Sequence, residues 1–146
     1  MKKVVIIYDT KRERSTTREV AVLLAKKLSL NYEVKIFRAE DVKAGDVEKC
    51  DIVIFGAPVY VGKVHEKVLD SIRRLRRFLT GKKVVLFTVC LLRFLGWRRY
   101  LKQMREALGR RGDVEAVIGG RIGPLNLLRA EDVHWVVDKI HEIAGG

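Results

Sequence analysis

The chain has 146 residues, of which 48% are hydrophobic and 33% are charged, so it is long enough to bury a core without a metal or disulfide scaffold. Lysine and arginine number 30 against 18 aspartates and glutamates, a formal net charge of +12 that favours phosphates, nucleic acid or anionic lipid as partners. Two cysteines far apart in sequence, Cys50 and Cys90, make no disulfide framework, and we interpret them as reduced thiols in the cytoplasm.

The chain begins with an apolar run, MKKVVIIYD, that stops at a charged residue and is followed by no small-residue cleavage site. We therefore interpret it as a strand and not as a signal peptide. The longest apolar run, VVLFTVCLL at residues 84–92, is about half of the ~20 residues that a membrane helix needs. The sequence predicts no membrane span. Its single glutamine and two asparagines beside many charged residues are typical of heat-resistant proteins.

Five short runs rich in β-branched residues alternate with helical stretches, a pattern typical of a parallel sheet buried on both faces. Only the second run alternates clearly between apolar and polar residues, which predicts an edge strand. Five such units predict one α/β domain over residues 1–146, with an open doubly wound sheet and three layers. The predicted strands are residues 3–8, 32–37, 51–56, 83–88 and 114–119.

Apolar residues at helical spacing predict the helices between and after these strands. Thr16, with Glu19 three residues later, indicates a capping box at the start of the first helix, and Val20, Leu23, Leu24 and Leu28 follow on one side. The later apolar stripes are Val64, Val68, Ile72, Leu75 and Leu79; Trp97, Leu101, Met104 and Leu108; and Val133, Val137, Ile140 and Ala144.

Ligands of doubly wound sheets bind beyond the carboxyl ends of the strands, which directs attention to three loops. Residues 10–17 combine hydroxyl groups with the amides of a helix start, a pattern that favours anion binding. In the next loop, GAPVYVGKVH, Pro58 stiffens the turn, Tyr60 supplies a flat face and Gly62 permits unusual backbone angles, which suits a planar ring. The segment after the fourth strand stays apolar through Trp97, as expected if it covers a ligand or meets a partner.

Simpler roles remain open for several residues. Helix capping alone explains Thr16 and Glu19, Tyr60 fits a half-buried aromatic, and Cys90 fits a small core residue. A phosphorylated-aspartate receiver is disfavoured because the third strand ends in glycine, alanine and proline. His134, Asp138 and His141 share a helical face, but without a fourth ligand we interpret that face as solvated and predict no metal site.

Basic runs occur at residues 73–77, 98–99 and 110–111, and solvated helix faces are their simplest interpretation. A docking surface is the alternative, and residues 93–99 beside the apolar FLGW also suit a peripheral contact with an anionic membrane surface or with a quinone. Nucleic acid is disfavoured, because no binding motif is present and few aromatic residues interleave with the charges.

Three segments carry a family resemblance: YDT followed by TTREVA, DIVIFGAPVYVGKVH, and FTVCL. The chain resembles the flavodoxin-like proteins, and within them the group that contains menaquinone-dependent protoporphyrinogen oxidase. The resemblance implies a three-layer α/β/α fold with a five-stranded parallel sheet in the order 2-1-3-4-5, and it implies flavin mononucleotide (FMN) as cofactor.

The resemblance also implies which residues bind FMN. Its phosphate is expected in the first loop, and its ring between the two later loops, with Gly62 near the redox-active nitrogen. The first loop differs from the family pattern because it has no glycine and is about two residues longer, and Lys11 and Arg14 offer charge-assisted contacts instead. The expected phosphate ligands are Thr10, Ser15, Thr16 and Thr17, and the expected ring contacts are Pro58, Val59, Tyr60, Gly62, Val89, Cys90 and Leu91.

The resulting hypothesis is an FMN-dependent redox protein in which the flavin performs the chemistry, since no side chain is an obvious acid, base or nucleophile. Electrons pass either to a redox partner protein or between a small molecule and a quinone. Carrier members of the family are usually acidic, so the charge of +12 favours the oxidase-like role or an acidic partner. The alternative is a flavodoxin-like fold that has lost FMN and binds a protein or nucleic acid.

Overall fold

A computed structural model describes residues 1–11, 15–60, 63–90, 97–122, 125–126 and 128–145, with only the backbone described at residues 60, 97, 121–122 and 125–126. The strands are β1 (Lys3–Tyr8), β2 (Glu33–Arg38), β3 (Ile52–Tyr60), β4 (Lys63–Val64), β5 (Lys83–Cys90), β6 (Val114–Gly119), β7 (Arg121–Ile122) and β8 (Leu125–Asn126). The helices are α1 (Thr16–Leu28), α2 (Ala44–Glu48), α3 (Glu66–Leu75), which a 3-10 turn (Arg76–Phe78) continues, α4 (Trp97–Leu108) and α5 (Ala130–Gly145).

The five long strands form one parallel sheet in the order β2-β1-β3-β5-β6. In chain order this is the predicted 2-1-3-4-5, and the prediction that the second strand lies at an edge is confirmed. The short β4 pairs antiparallel with the end of β3, and β7 pairs antiparallel with β8.

Alternate residues of each central strand enter two separate cores, as expected for a sheet covered on both faces. Val4 and Ile6 of β1 pack with α1 and α5 in the first core. Val5 and Ile7 pack with α3 and α4 in the second. The sheet is therefore the middle of three layers. Because both of its faces are covered, a ligand can reach it only at the ends of the strands.

The strand bounds differ from the prediction where tertiary pairing extends them. The predicted β1 and β6 match the structure, and β2 lies one residue further along. However, β3 continues to Tyr60 and β5 to Cys90 because Pro58 pairs with Val89. The interpretation of Pro58 as a turn residue is therefore wrong, because it lies inside a strand.

Position 56 in β3 must be a glycine because the ring of Phe87 in β5 packs directly against its Cα. A Cβ built at this position would lie 2.0 Å from Cζ of Phe87, whose side chain is fully buried. Such a separation is far below van der Waals contact, so the ring of Phe87 occupies the space that any other residue would need.

Helix α3 is shorter than the apolar stripe from which it was predicted. Val64 lies in β4, ahead of the helix, and Leu79 follows the 3-10 turn, yet both side chains are buried. Among the described residues, no helix combines the length and the apolar character needed to cross a bilayer.

Candidate functional site

The crevice beyond β1 and β3 is where this topology places a ligand. The chain leaves β1 toward β2 on one side and leaves β3 toward β5 on the other, and this divergence opens a crevice at the carboxyl edge. Tyr8 pairs with Gly56, and Pro58 pairs with Val89. The ends of three strands thus lie side by side, followed by the loops that the sequence singled out.

Helix α1 begins at this crevice, and its cap differs from the predicted one. Ser15 is the N-cap, and its Oγ accepts a hydrogen bond from the backbone N–H of Arg18 at 3.2 Å. The predicted capping box between Thr16 and Glu19 is therefore wrong by one residue, since Thr16 is already helical. The hydroxyl of Ser15 can still donate outward, and the helix dipole concentrates positive potential in front of it.

Thr17 presents a buried hydroxyl to which the described part of the chain gives no hydrogen-bond partner. The residue is 1% exposed, and its Oγ1 has no hydrogen-bond partner among the described residues. Leaving such a group unpaired costs about 1–3 kcal/mol. A hydroxyl without a partner in the first turn of a 13-residue helix fits an anion such as a phosphate group.

An ion pair between a buried aspartate and a partly exposed arginine lies at the base of the first loop. Asp9, which is 1% exposed, accepts hydrogen bonds at Oδ1 from the backbone N–H of Thr10 at 2.7 Å and from Nη2 of Arg38 at 2.6 Å. The same Nη2 also donates to the carbonyl oxygen of Thr10 at 3.0 Å. Arg38, the last residue of β2, thus joins the edge strand to the start of the loop.

Sequence reasoning did not identify either member of this pair. The available signal was weak: an aspartate directly after an apolar strand, and an arginine at the end of the only alternating strand. Their contact depends on the parallel pairing that sets Tyr8 beside Arg38, which a single sequence does not reveal.

His65 connects the β3 loop to the helix that follows it. As the N-cap of α3, His65 accepts a hydrogen bond at Nδ1 from the backbone N–H of Lys67 at 3.2 Å. The backbone N–H of His65 donates to the carbonyl oxygen of Pro58 at 3.0 Å. Burial lowers the pKa of His65, while the carboxylate of Asp9 opposes this shift. The cap uses Nδ1 as an acceptor, and burial favours the neutral imidazole.

The end of β3 forms a short hairpin with β4 that α4 holds in place. Val59 pairs with Val64, and Tyr60 pairs with Lys63. Oε1 of Gln103 in α4 accepts a hydrogen bond from the backbone N–H of Val64 at 2.9 Å. The hairpin is thus fixed at its base, where the sequence predicted a ring-binding loop.

The end of β5 is apolar and buried. Val89 and Cys90 are each 6% exposed, and the carbonyl of Cys90 accepts from the backbone N–H of Gly120 at 3.0 Å. Thr88 is fully buried, and its Oγ1 finds no partner in the part of the chain that the structure describes. Alternation along the strand directs Thr88 toward the second core, which contains Leu86.

The structure therefore brings most of the predicted site residues to one edge. Thr10 and Thr17 are buried, Ser15 and Thr16 lie at the start of α1, and Lys11 is exposed. Pro58 pairs with the end of β5, and Val59 pairs with β4. Of the other predicted residues, Arg14, Gly62 and Leu91 lie outside the described residues, as does the side chain of Tyr60.

The two histidines on the helical face that we interpreted as solvated contact other side chains. His134 lies 3.4 Å from Nζ of Lys27, and Nδ1 of His141 lies 2.8 Å from the hydroxyl of Tyr32, whose ring stacks on it. Within the described ranges, no three acidic, histidine or cysteine side chains are grouped as metal ligands.

The fold and the site define a class: a doubly wound α/β protein whose first helix directs its capped start into the crevice at the switch point of the sheet. A family model described as "Flavodoxin domain" matches residues 5–131. The chain belongs to this family. The finer assignment, to the group containing menaquinone-dependent protoporphyrinogen oxidase, stays a prediction.

Solved structures with a similar fold include a short-chain flavodoxin associated with a bacterial microcompartment, 22% identical over 99% of both chains with a TM-score of 0.76. A Fusobacterium nucleatum flavodoxin bound to flavin mononucleotide is 20% identical over 99% of this chain and 98% of that one, with a TM-score of 0.66. Rubredoxin oxygen:oxidoreductase from Desulfovibrio gigas is 17% identical with a TM-score of 0.73, and the match covers 97% of this chain but 35% of that protein. No curated protein sequence matches the chain.

Proposed function

We propose that the chain binds FMN at the carboxyl edge of its sheet and transfers electrons as a redox protein. The observation that carries the proposal is the buried hydroxyl of Thr17, which lacks a partner among the described residues at a capped helix start. Membership of the Flavodoxin domain family supports it, and so does the similarity in fold to a flavodoxin bound to flavin mononucleotide.

The first loop and the start of α1 would bind the phosphate. Ser15 and Thr17 offer hydroxyl donors, Thr10 and Thr16 offer hydroxyls beside the helix start, and the helix dipole favours the negative charge. Lys11, which is exposed beside this loop, adds a cation. We propose the same function for Arg14.

The ends of β3 and β5 would contact the ring. Pro58 and Val59 at the end of β3 and Val89 and Cys90 at the end of β5 would contribute apolar contacts from these two paired strands. We propose that Tyr60, Gly62 and Leu91 complete these contacts. Burial lowers the pKa of His65 and so disfavours a positive charge at the hairpin base.

FMN, when bound, would supply the electron chemistry, and the chain would position it and adjust its reduction potential. Positive charge near a flavin favours its anionic reduced form and raises that potential. The chain as a whole carries +12, and Lys11 is an exposed cation beside the first loop. We expect a reduction potential above that of free FMN.

The decisive experiment is the absorption spectrum of the purified protein, repeated after FMN is added, together with a titration that follows the quenching of FMN fluorescence. Binding at micromolar concentration or tighter supports the proposal. Absence of bound flavin and of quenching would refute it and would favour a fold that has lost FMN and binds a protein or nucleic acid.

A second experiment concerns the electron acceptor. We propose the oxidase-like role, in which a quinone accepts the electrons, because the net charge of +12 differs from that of acidic carriers. Protein reduced with dithionite is mixed either with a quinone in anionic vesicles or with an acidic ferredoxin, and reoxidation is followed by absorbance. Faster reoxidation by the quinone supports the oxidase-like role, and faster reoxidation by the ferredoxin supports a protein partner.

A further inference from the structure

We infer that Arg38, at the end of the edge strand β2, is a phosphate-binding residue of this site and replaces the cradle that a glycine-containing loop would form. The inference rests on the proposed function, and it concerns the chemical class that the site selects, a phosphomonoester. It assigns to the end of β2 a charge-assisted phosphate contact, which we predicted from sequence only for Lys11 and Arg14.

The position of Arg38 is fixed from two sides. Its Nη2 donates both to Oδ1 of Asp9 and to the carbonyl of Thr10, and its guanidinium lies 6.0 Å from the centre of the Tyr8 ring. A cation held by several contacts loses little conformational freedom when it binds a ligand. Arg38 is therefore preorganised at the start of the first loop.

The remaining donors of Arg38 are available for a ligand. Nη1 and Nε have no acceptor among the described residues, and the side chain is 41% exposed. Because guanidinium donors match the geometry of phosphate oxygens, this is the arrangement that a phosphate-binding arginine needs.

The buried carboxylate of Asp9 makes a neighbouring cation necessary. Asp9 begins the loop that leads to α1, so a phosphate bound at the start of α1 would lie near its carboxylate. Two like charges at short range repel each other. Arg38 offsets the charge of Asp9 and retains donors for a second anion. Without it, the site would present a buried carboxylate to the phosphate.

The test compares the binding of FMN with that of riboflavin, which has the same ring but no phosphate. Dissociation constants are measured from fluorescence quenching for the wild-type protein and for Arg38→Met. Lys35→Met, which removes an exposed cation from the same strand, is the matched control. We expect Arg38→Met to weaken FMN binding about ten- to a hundredfold with riboflavin binding unchanged, and Lys35→Met to alter neither.

The double variant Asp9→Asn/Arg38→Met removes the effect of an unpaired Asp9. The inference holds if this variant also loses FMN affinity selectively. It is refuted if the double variant regains wild-type affinity, if Arg38→Met loses both flavins equally, or if it loses neither. Wild-type protein that binds no FMN at all, even in a buffer free of phosphate, refutes the proposed function instead, so the two failures are distinct.

Discussion

Replacing Thr17 with valine separates the stability of the chain from its function. Valine has nearly the shape of threonine and a similar helix propensity, so the change removes one hydroxyl and little else. In the absence of ligand, that hydroxyl is buried without a partner among the described residues. We therefore expect Thr17→Val to stabilise the flavin-free protein while weakening its affinity for FMN.

The magnitude follows from the cost of an unpaired buried polar group, about 1–3 kcal/mol. For a chain of 146 residues, a gain of about 1–2 kcal/mol raises the unfolding midpoint by roughly 3–6 °C. A hydrogen bond to a charged phosphate contributes about 1.5–3 kcal/mol, so the dissociation constant for FMN should rise about ten- to a hundredfold.

Both quantities are measured on the same preparation, by circular dichroism during heating of flavin-free protein and by quenching of FMN fluorescence at 25 °C. Thr88→Val is the matched control, because Thr88 is also buried and unpartnered among the described residues but directed into the second core. It should stabilise the protein without a comparable loss of FMN affinity. A lower unfolding midpoint for Thr17→Val, or unchanged FMN affinity, would show that the hydroxyl has a structural partner and no role in binding.

Three further predictions concern the framework of the site. Gly56→Ala should destabilise the protein by about 1–3 kcal/mol in urea unfolding, because its Cβ would overlap the Phe87 ring. The double variant Gly56→Ala/Phe87→Leu should recover part of this loss. An equal loss in the single and the double variant would contradict the overlap. Because burial lowers the pKa of His65, the unfolded chain binds a proton at this residue more readily, and the free energy of unfolding should fall as pH drops below about 6.5. His65→Asn, which can still cap α3, should flatten this pH dependence in urea titrations between pH 5 and 7.5. An unchanged pH dependence would show that His65 is not its source. Burial alone would raise the pKa of Glu115, but the hydrogen bonds from Arg105 and from the Gly112 amide outweigh it, so this pKa is lowered. Arg105→Met should therefore reduce the free energy of unfolding by about 1–3 kcal/mol at pH 7, and by less as pH falls through the pKa of Glu115. A loss that is independent of pH would contradict the ion pair.

The sheet was predictable because its strands carry a local signal. Apolar β-branched runs mark β1 and β6 with the correct bounds, and the alternation in β2 marks an edge strand. The extensions of β3 and β5 were not predictable, because Pro58 reads locally as a turn residue and enters the sheet only through its pairing with Val89. Long-range pairing determined these bounds, and local propensity did not.

The position of the candidate site residues in the fold was predictable where they follow directly on a strand or precede a helix. The hydroxyls around Ser15 were found in this way, with the cap misplaced by one residue because serine and threonine both cap helices well. The contact between Asp9 and Arg38 joins residues 29 positions apart, and no periodicity reports it. The charged residues that adjust a site are therefore harder to predict than the loops that form it.

The basic run at residues 73–77 shows why net charge alone does not locate a partner surface. Arg73 pairs with Glu66 and Asp70, and Arg74 donates to the carbonyl oxygens of Val42 and Ala39, so two members of the run stabilise the fold. The end of the run, Arg76 and Arg77 in the 3-10 turn, lies shortly before β5 begins, toward the amino edge of the sheet. Eight residues of β5 span roughly 25 Å between this edge and the crevice. An electron acceptor at the crevice would therefore be attracted chiefly by the cations of the carboxyl edge, and a partner bound at the amino edge would hold the protein without contacting the flavin.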